Sequence, residues 1–359
     1  MPTTAPSSRV TRPGIAERDA PAQPGVRKGT TPESTWHGGF QPQVEAGVSP
    51  FADLRPTPAR ASSLGTTLET KLNTFAAGTG NGQWPNLPRA QVAARLAELV
   101  HDPTLLNQAG LNTCGPAAVM YILAKRHVER FVDLVIDLYE RGRASFGSVQ
   151  ASGDGLFHKN PAAMTWPHGN RPQALDWMLF SAVQRSIGDV FKFGGEPSDK
   201  ISAMSLPGEV ETWLKDGIGY SSVNNEANKF YLKSLDHLKA LSPDANRDIL
   251  VLVHVGKKGE KDHLQAQAPG EQSSAAIGAG PVSVDNLQAQ EPWEKSSTAI
   301  GEAVLDLFPN HWLVLEAPVA DDGTTIVATA WTWGRSGYLF SAQRDVWAKS
   351  YYGAITGQK

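Results

Sequence analysis

The chain has 359 residues, 40% of them hydrophobic, and a formal net charge of −3. That is enough apolar material for one large domain or two modest ones, and the near balance of acids and bases excludes a nucleic-acid binder that works through general electrostatics. No apolar run approaches the roughly 18 residues that span a bilayer. The N-terminus has no charged segment followed by an apolar one, so no secretory signal peptide is expected; localisation stays open between the cytoplasm and export by a route that needs no such signal.

In chain order, residues 1–85 read as a disordered segment suited to secretion or targeting. Eleven of the 25 prolines fall there, among Thr, Ser, Gly and Ala, too little apolar surface to offset the entropy of ordering. Within it, Ser63 to Phe75 reads as a transient or docking helix (Leu64, Leu68, Leu72). The folded domain is expected over 86–359, beginning near Trp84. Gln91 to His101 has Val92, Leu96, Leu99 and Val100 on one helical face. Cys114 opens a helix that runs to about His127, and Val128 to Arg141 follows (Phe131, Leu134, Val135, Leu138). Residues 147–170 read as a polar loop. Asn170 and Pro172 suit the cap and first turn of another helix, with further helices expected at Pro207 to Leu214 and Asn225 to Leu241.

From Asp248 the pattern changes to strands. Ile249 to Val255 is continuous and β-branched. Leu264 to Gly278 recurs as Leu287 to Gly301 with 11 of 15 positions identical; two copies are too few for a solenoid, so residues 256–305 read as a flexible insertion carrying a duplicated loop. Strands resume at His311 to Glu316. Asp322-Gly323 then marks a hairpin leading to Thr325 to Trp333. Gly337 to Phe340, a short helix at Gln343 to Tyr351 and a closing strand at Gly353 to Thr356 complete the chain. Helices first and antiparallel strands second make an α+β order. Trp331 and Trp333, at period two, are expected to share one core-packing face.

One cysteine makes no internal disulfide and no multi-cysteine metal site, and the nine histidines form no HExxH or similar spacing. No metal and no cofactor are expected. A lone cysteine is most often an inert buried residue, but the neighbours of Cys114 set it apart. It stands at a helix N-terminus, where a thiol pKa falls; Gly115 allows close approach of a substrate; and Gln108, six residues earlier, can offer an amide N–H to an oxyanion. His311, opening a distant strand, can act as general base and acid. His158 and His168, in the loop, read as surface residues, and His254 as core or edge.

With Gln108, Cys114-Gly115-Pro116, His311 followed by an aromatic and Leu-Val, and a strand ending Thr332-Trp333-Gly334, the chain resembles the papain-like cysteine peptidases, most closely the bacterial C39-like branch. The resemblance covers roughly residues 100–357. It implies a papain-like fold: a helical subdomain carrying the Cys, followed by an antiparallel β-sheet or barrel carrying the His, with the cleft between. It also implies a thiol protease with an acyl-enzyme intermediate. The family's Asn or Asp, which orients the imidazole, has no counterpart here, because the trailing tripeptide puts Trp331 in its slot. An indole has only an N–H to donate, so the expectation is a Cys-His dyad, or a triad whose third member is Thr332, Trp331, Thr329 or a backbone carbonyl. Asp321 and Asp322, at the hairpin tip, are expected to lie too far away.

The leading expectation is therefore a hydrolase, a peptidase or isopeptidase acting on a protein or peptide substrate, with no nucleic acid and no membrane span. A long N-terminal segment ahead of such a domain is a layout shared with secreted bacterial effectors. The alternatives are related acyl chemistry (glutamine deamidase, cell-wall amidase or acyltransferase) and a papain-like module that binds without turnover. Oligomeric state, substrate and scissile bond are not specified by these motifs.

Overall fold

The computed structural model describes residues 65–187, 192–256, 264–269 and 309–359. Most of the expected N-terminal segment, the charged stretch Lys257 to Lys261, whose sequence reads as a solvated loop, and the second copy of the duplicated motif lie outside the described residues.

The helices run α1 Thr66–Ala77, α2 Arg89–His101, α3 Cys114–Arg126, α4 Val128–Arg141, α5 Ala174–Gln184, α6 Lys200–Ala203, α7 Pro207–Thr212, α8 Leu235–Lys239 and α9 Arg344–Ser350. The strands are β1 Arg143–Phe146, β2 Val149–Ser152, β3 Ser222–Asn225, β4 Arg247–Val253, β5 Ala266–Gln267, β6 His311–Leu315, β7 Ala320–Asp321, β8 Thr325–Thr332, β9 Arg335–Gln343 and β10 Tyr351–Gln358. β1 and β2 form a separate antiparallel hairpin, with β1 just before and β2 within the stretch 147–170 expected to be loop. The other strands make one antiparallel sheet in the order β3-β10-β4-β6-β8-β9-β5, with β7 paired to β8. The α+β expectation holds.

Because side chains alternate along a strand, the central strands feed two cores. Leu250, Leu252, Trp312, Val314, Trp331 and Ile355 face the helices α1 to α5, in the same core as Cys114. Ile249, Val251, Val253, Leu313, Leu315, Ile326, Ala328 and Ala330 face the opposite side, where α8 and α9 contribute Leu238, Val346 and Trp347. Burial on both faces is why β4 and β6 read as unbroken apolar runs. α3 is buried over its whole length from Cys114 to Ala124.

Four expectations are corrected. The folded chain begins before residue 86: α1 docks Leu68 and Phe75 into the main core, and Phe75 sits edge-on to Tyr139 at 5.4 Å. α5 starts at Ala174, with Gln173 rather than Asn170 at its N-cap. No helix spans 225–241. Instead, the side chains of Asn225 and Asn228 accept from the N–H groups of Ala227 and Phe230, and the N–H groups of Glu226, Asn228 and Lys233 go to carbonyls of β10. Local amide bonds of this kind compete with a helix and here displace it. Finally, the expected insertion begins with ordered structure, since Leu264 is buried, bridges Val255, and leads into β5 on the edge of β9.

Candidate active site

Cys114 is the first residue of α3, and Thr113, at the cap, is wholly buried. Gly115 lets this helix end press against the segment before α7, because a Cβ there would lie 2.3 Å from Ser205 Oγ. Ser205 is fixed in turn: its carbonyl accepts from Trp312 Nε1 at 3.3 Å, and its hydroxyl donates to Gln184 at 2.9 Å. The Cys114 thiol donates to the carbonyl of Asn310, at 3.8 Å. Burial pushes its pKa up, and the main-chain N–H of Trp312, the Lys229 ammonium and the N–H groups of Gly115 and Cys114 itself pull against that rise. The sulfur thus rests on the main chain at 310–312, the residues on either side of His311. Among the described residues no hydrogen bond joins it to the imidazole.

His311 is the first residue of β6, paired with Val253 of β4. Its Nε2 is 2.6 Å from Thr332 Oγ1, and the Trp333 ring stacks on the imidazole with centroids 4.5 Å apart. Burial lowers the His311 pKa to about 3, so the ring is neutral at physiological pH. Of the three side chains expected as a third member, only Thr332 reaches the histidine. Trp331 points to the other face, stacks on Tyr121 of α3 at 4.3 Å and donates from Nε1 to the Thr104 carbonyl at 2.9 Å. Thr329 lies further along β8, and its carbonyl accepts from the Glu316 N–H. Asp321 binds Arg344 and the turn N–H of Gly323, well away from this end of the sheet.

The two tryptophans do not share a face. β8 ends at Thr332, and Trp333-Gly334 forms a two-residue turn to β9, with Thr332 opposite Arg335 and φ of 46° and 80°. Positive φ at both positions is the type I′ geometry that fits the twist of a hairpin. It swings Trp333 out of the strand alternation and over His311.

Gln108 is buried in the loop ahead of α3, with its carbonyl accepting from the Leu111 N–H. The next residue, Ala109, has φ 49°. Ala109 and Trp333 are the non-glycine residues with positive φ among the described residues, and they belong to neighbouring turns. Asn107 Oδ1 accepts from the Ala109 N–H at 2.8 Å, and a Cβ on Gly334 would lie 2.9 Å from Asn107 Cβ. Backbone strain of this kind, about 1–3 kcal/mol per residue, persists only where the surroundings over-determine it, and it gathers at functional sites. A buried ion pair supplies part of that determination. Asp176 of α5, wholly buried, pairs with Arg95 of α2 at 2.8 Å and accepts from the Asn107 N–H at 3.2 Å. Arg95 also donates to the Leu105 carbonyl, and Gly110 N–H donates to Asn170 O at 2.8 Å.

The structure therefore brings His311 and Thr332 into direct contact, sets the Cys114 sulfur against the chain that carries His311, and ties the Gln108 loop to the Trp333 turn. His158 is exposed, and the main-chain N–H of His254 donates to the carbonyl of Ser350, the last residue of α9. Asn107, Asp176, Arg95, Asn310 and Lys229 were not singled out from the sequence. Asp176 alone carried a signal there, as a carboxylate inside the apolar run Leu175 to Val183. Among the described residues no cluster of three metal-binding side chains is present, and no helix is long and apolar enough to cross a membrane. No family model, curated protein or solved structure matches the chain.

Proposed function

We propose that the protein is a cysteine-dependent hydrolase of papain-like type, a peptidase or isopeptidase, with Cys114 as nucleophile and His311 as its base. The observation that carries the reading is the 2.6 Å bond between His311 Nε2 and Thr332 Oγ1, made beside a sulfur that rests on the main chain of residues 310–312. A threonine hydroxyl can accept from the imidazole N–H, which an indole cannot, so Thr332 fills the orienting role that Trp331 could not. With Nε2–H given to Thr332, Nδ1 keeps its lone pair for the thiol proton.

The resting pair is neutral, because burial raises the thiol pKa and lowers that of the imidazole. Attack then proceeds by general-base catalysis rather than from a standing thiolate–imidazolium pair. The thiol leaves the Asn310 carbonyl and passes its proton to Nδ1 as sulfur bonds to the acyl carbon. The carbonyl oxygen takes the negative charge beside the Gln108 amide and the Cys114 N–H. The C–N bond breaks as the imidazolium returns the proton to the leaving amine. Water, deprotonated by His311, cleaves the thioester and regenerates the thiol. Deamidation, amidase action and acyl transfer use the same steps with a different acyl donor or acceptor.

A second reading, a scaffold that binds without turnover, draws on the thiol's bond to the Asn310 carbonyl and its raised pKa. Iodoacetamide separates the two. The hydrolase predicts that alkylation of Cys114 near pH 7 depends on the imidazole that takes its proton, slowing by about tenfold or more in His311→Ala. Labelling that His311→Ala leaves unchanged favours the binding scaffold.

A further inference from the structure

Residues 228–232 form a turn held at both ends. The Asn228 N–H donates to Tyr352 O at 2.9 Å and the Lys233 N–H to Tyr351 O at 3.0 Å, while Asn228 Oδ1 accepts from the N–H groups of Phe230 and Tyr231. The backbone is thus fixed, yet three consecutive apolar side chains face solvent: Phe230 is 74% exposed, Tyr231 72% and Leu232 48%. Single exposed apolar residues are ordinary; a contiguous ordered group of them marks an interaction surface.

Sheet register locates this turn. Lys233 pairs with Tyr351, Tyr351 lies opposite Val253, and Val253 lies opposite His311. These four residues form one row across the sheet. At ~4.8 Å per strand the turn begins roughly 14 Å from His311, at the same end of the sheet. Packing sets the face. Ala227 packs on the core that contains Cys114, and Asn225 Nδ2 donates to Glu211 of α7 at 2.9 Å. α7 begins just after Ser205, which touches Gly115, and its cap residue Leu206 is 52% exposed. Lys229, at the root of the turn, has its pKa lowered by burial, with Cys114 and Glu209 pulling the other way, as expected of a side chain directed inward between the thiol and α7.

We infer that the turn 228–232, with Leu206, is the recognition surface of the site, and that it takes a bulky apolar side chain of a polypeptide substrate beside the bond presented to Cys114. The inference rests on the hydrolase reading and narrows it: it favours peptide substrates over small amides. The occupant follows from position, because a surface fixed at the mouth of the thiol site meets whatever chain the thiol attacks.

The test uses two acyloxymethyl ketone probes, Ac-Leu-Phe-Gly and Ac-Ser-Asn-Gly, from which a thiolate displaces the carboxylate. Labelling of Cys114 is followed by intact mass, and each rate is divided by the iodoacetamide rate of the same protein. The full chain is expected to prefer the apolar probe by on the order of tenfold or more. Phe230→Ser/Tyr231→Ser/Leu232→Ser should lose that preference, and the single variant Phe230→Ser should lose part of it. Iodoacetamide labelling that slows in His311→Ala but comes with no probe preference, or a preference that survives in the triple variant, overturns the inference and leaves the hydrolase reading standing. Iodoacetamide labelling unchanged by His311→Ala overturns both. A dimer of the wild type that the triple variant abolishes, without probe preference, assigns the surface to a second copy instead.

Discussion

Replacing Thr332 by valine keeps the shape of the side chain and removes its hydroxyl. Thr332 is 1% exposed and His311 3%, so no bulk water can take over the lost bond. In the resting state this strands a buried polar group, at a cost of about 1–3 kcal/mol to folding. During attack the imidazole becomes charged, and a hydrogen bond to a charged group contributes about 1.5–3 kcal/mol. At about 1.4 kcal/mol per tenfold, Thr332→Val should slow Cys114 alkylation by roughly 10- to 150-fold. Thr332→Ser, which restores the hydroxyl, should recover most of the rate. The assay is the second-order rate with iodoacetamide at pH 7, read by intact mass, alongside a thermal melt to show that the variant is folded. If Thr332→Val reacts within about twofold of wild type while melting normally, Thr332 does not orient the base, and the reasoning about the third member fails.

Three further outcomes follow from buried groups. His311 has an unfolded pKa of 6.5 and a folded value of about 3, so the unfolded chain binds its proton first; it should lose stability as pH falls from 6.5 toward 3, by ~1.4 kcal/mol per pH unit, and His311→Gln should flatten that slope in thermal melts. Asp176 acts with the opposite sign. Its pKa is raised by burial from 3.8 to about 6, so its ionisation costs stability as pH rises through 6, and the two slopes offset each other between about pH 4 and 6. Asp176→Asn should therefore expose the full histidine slope, and at pH 7, by taking away the buried one of the two carboxylates that Arg95 binds and leaving the half-exposed Glu98 at 2.9 Å, should cost about 1–3 kcal/mol; melts of wild-type steepness at pH 4–6 would refute this. Gly115→Ala sets a methyl where Ser205 Oγ stands 2.3 Å away. It should cost about 1–3 kcal/mol and change Cys114 alkylation, with Gly208→Ala, where no atom lies within 4 Å, as the neutral control.

The elements legible in the sequence were those whose burial is one-sided or complete. α4 spans the expected residues because its apolar stripe faces one core, and β4 and β6 stand out because both faces are covered. The misreadings arose where side chains captured backbone groups. Asn225 and Asn228 turn a stretch with helical periodicity into an edge-paired loop, and the β-strand pairing of that loop with β10 is non-local, so no window of sequence contains it. The β1–β2 hairpin is local, pairing Arg143–Phe146 with Val149–Ser152, and was hidden instead by its short strands and the polar, glycine-containing residues that follow, which read as loop.

The site divides along a similar line. Cys114, Gln108 and His311, the residues proposed for the chemistry, stand out in the sequence by residue type and spacing. The structure that disposes them is carried by conformation. Trp331 and Trp333 differ by two positions, and alternation would put them together. A single pair of left-handed residues sends one onto α3 and the other onto His311, and leaves the unremarkable Thr332 as the only hydroxyl of the three candidates to touch the ring. Ala109 plays the matching part in the opposite loop, where neither its type nor its neighbours announce a positive φ. Two strained non-glycine turns, joined through Asn107 and braced by the buried Asp176–Arg95 pair, meet beside the one thiol of the chain. Packing alone gives a fold no reason to hold strain there; the function proposed above supplies one, the aiming of a neutral imidazole.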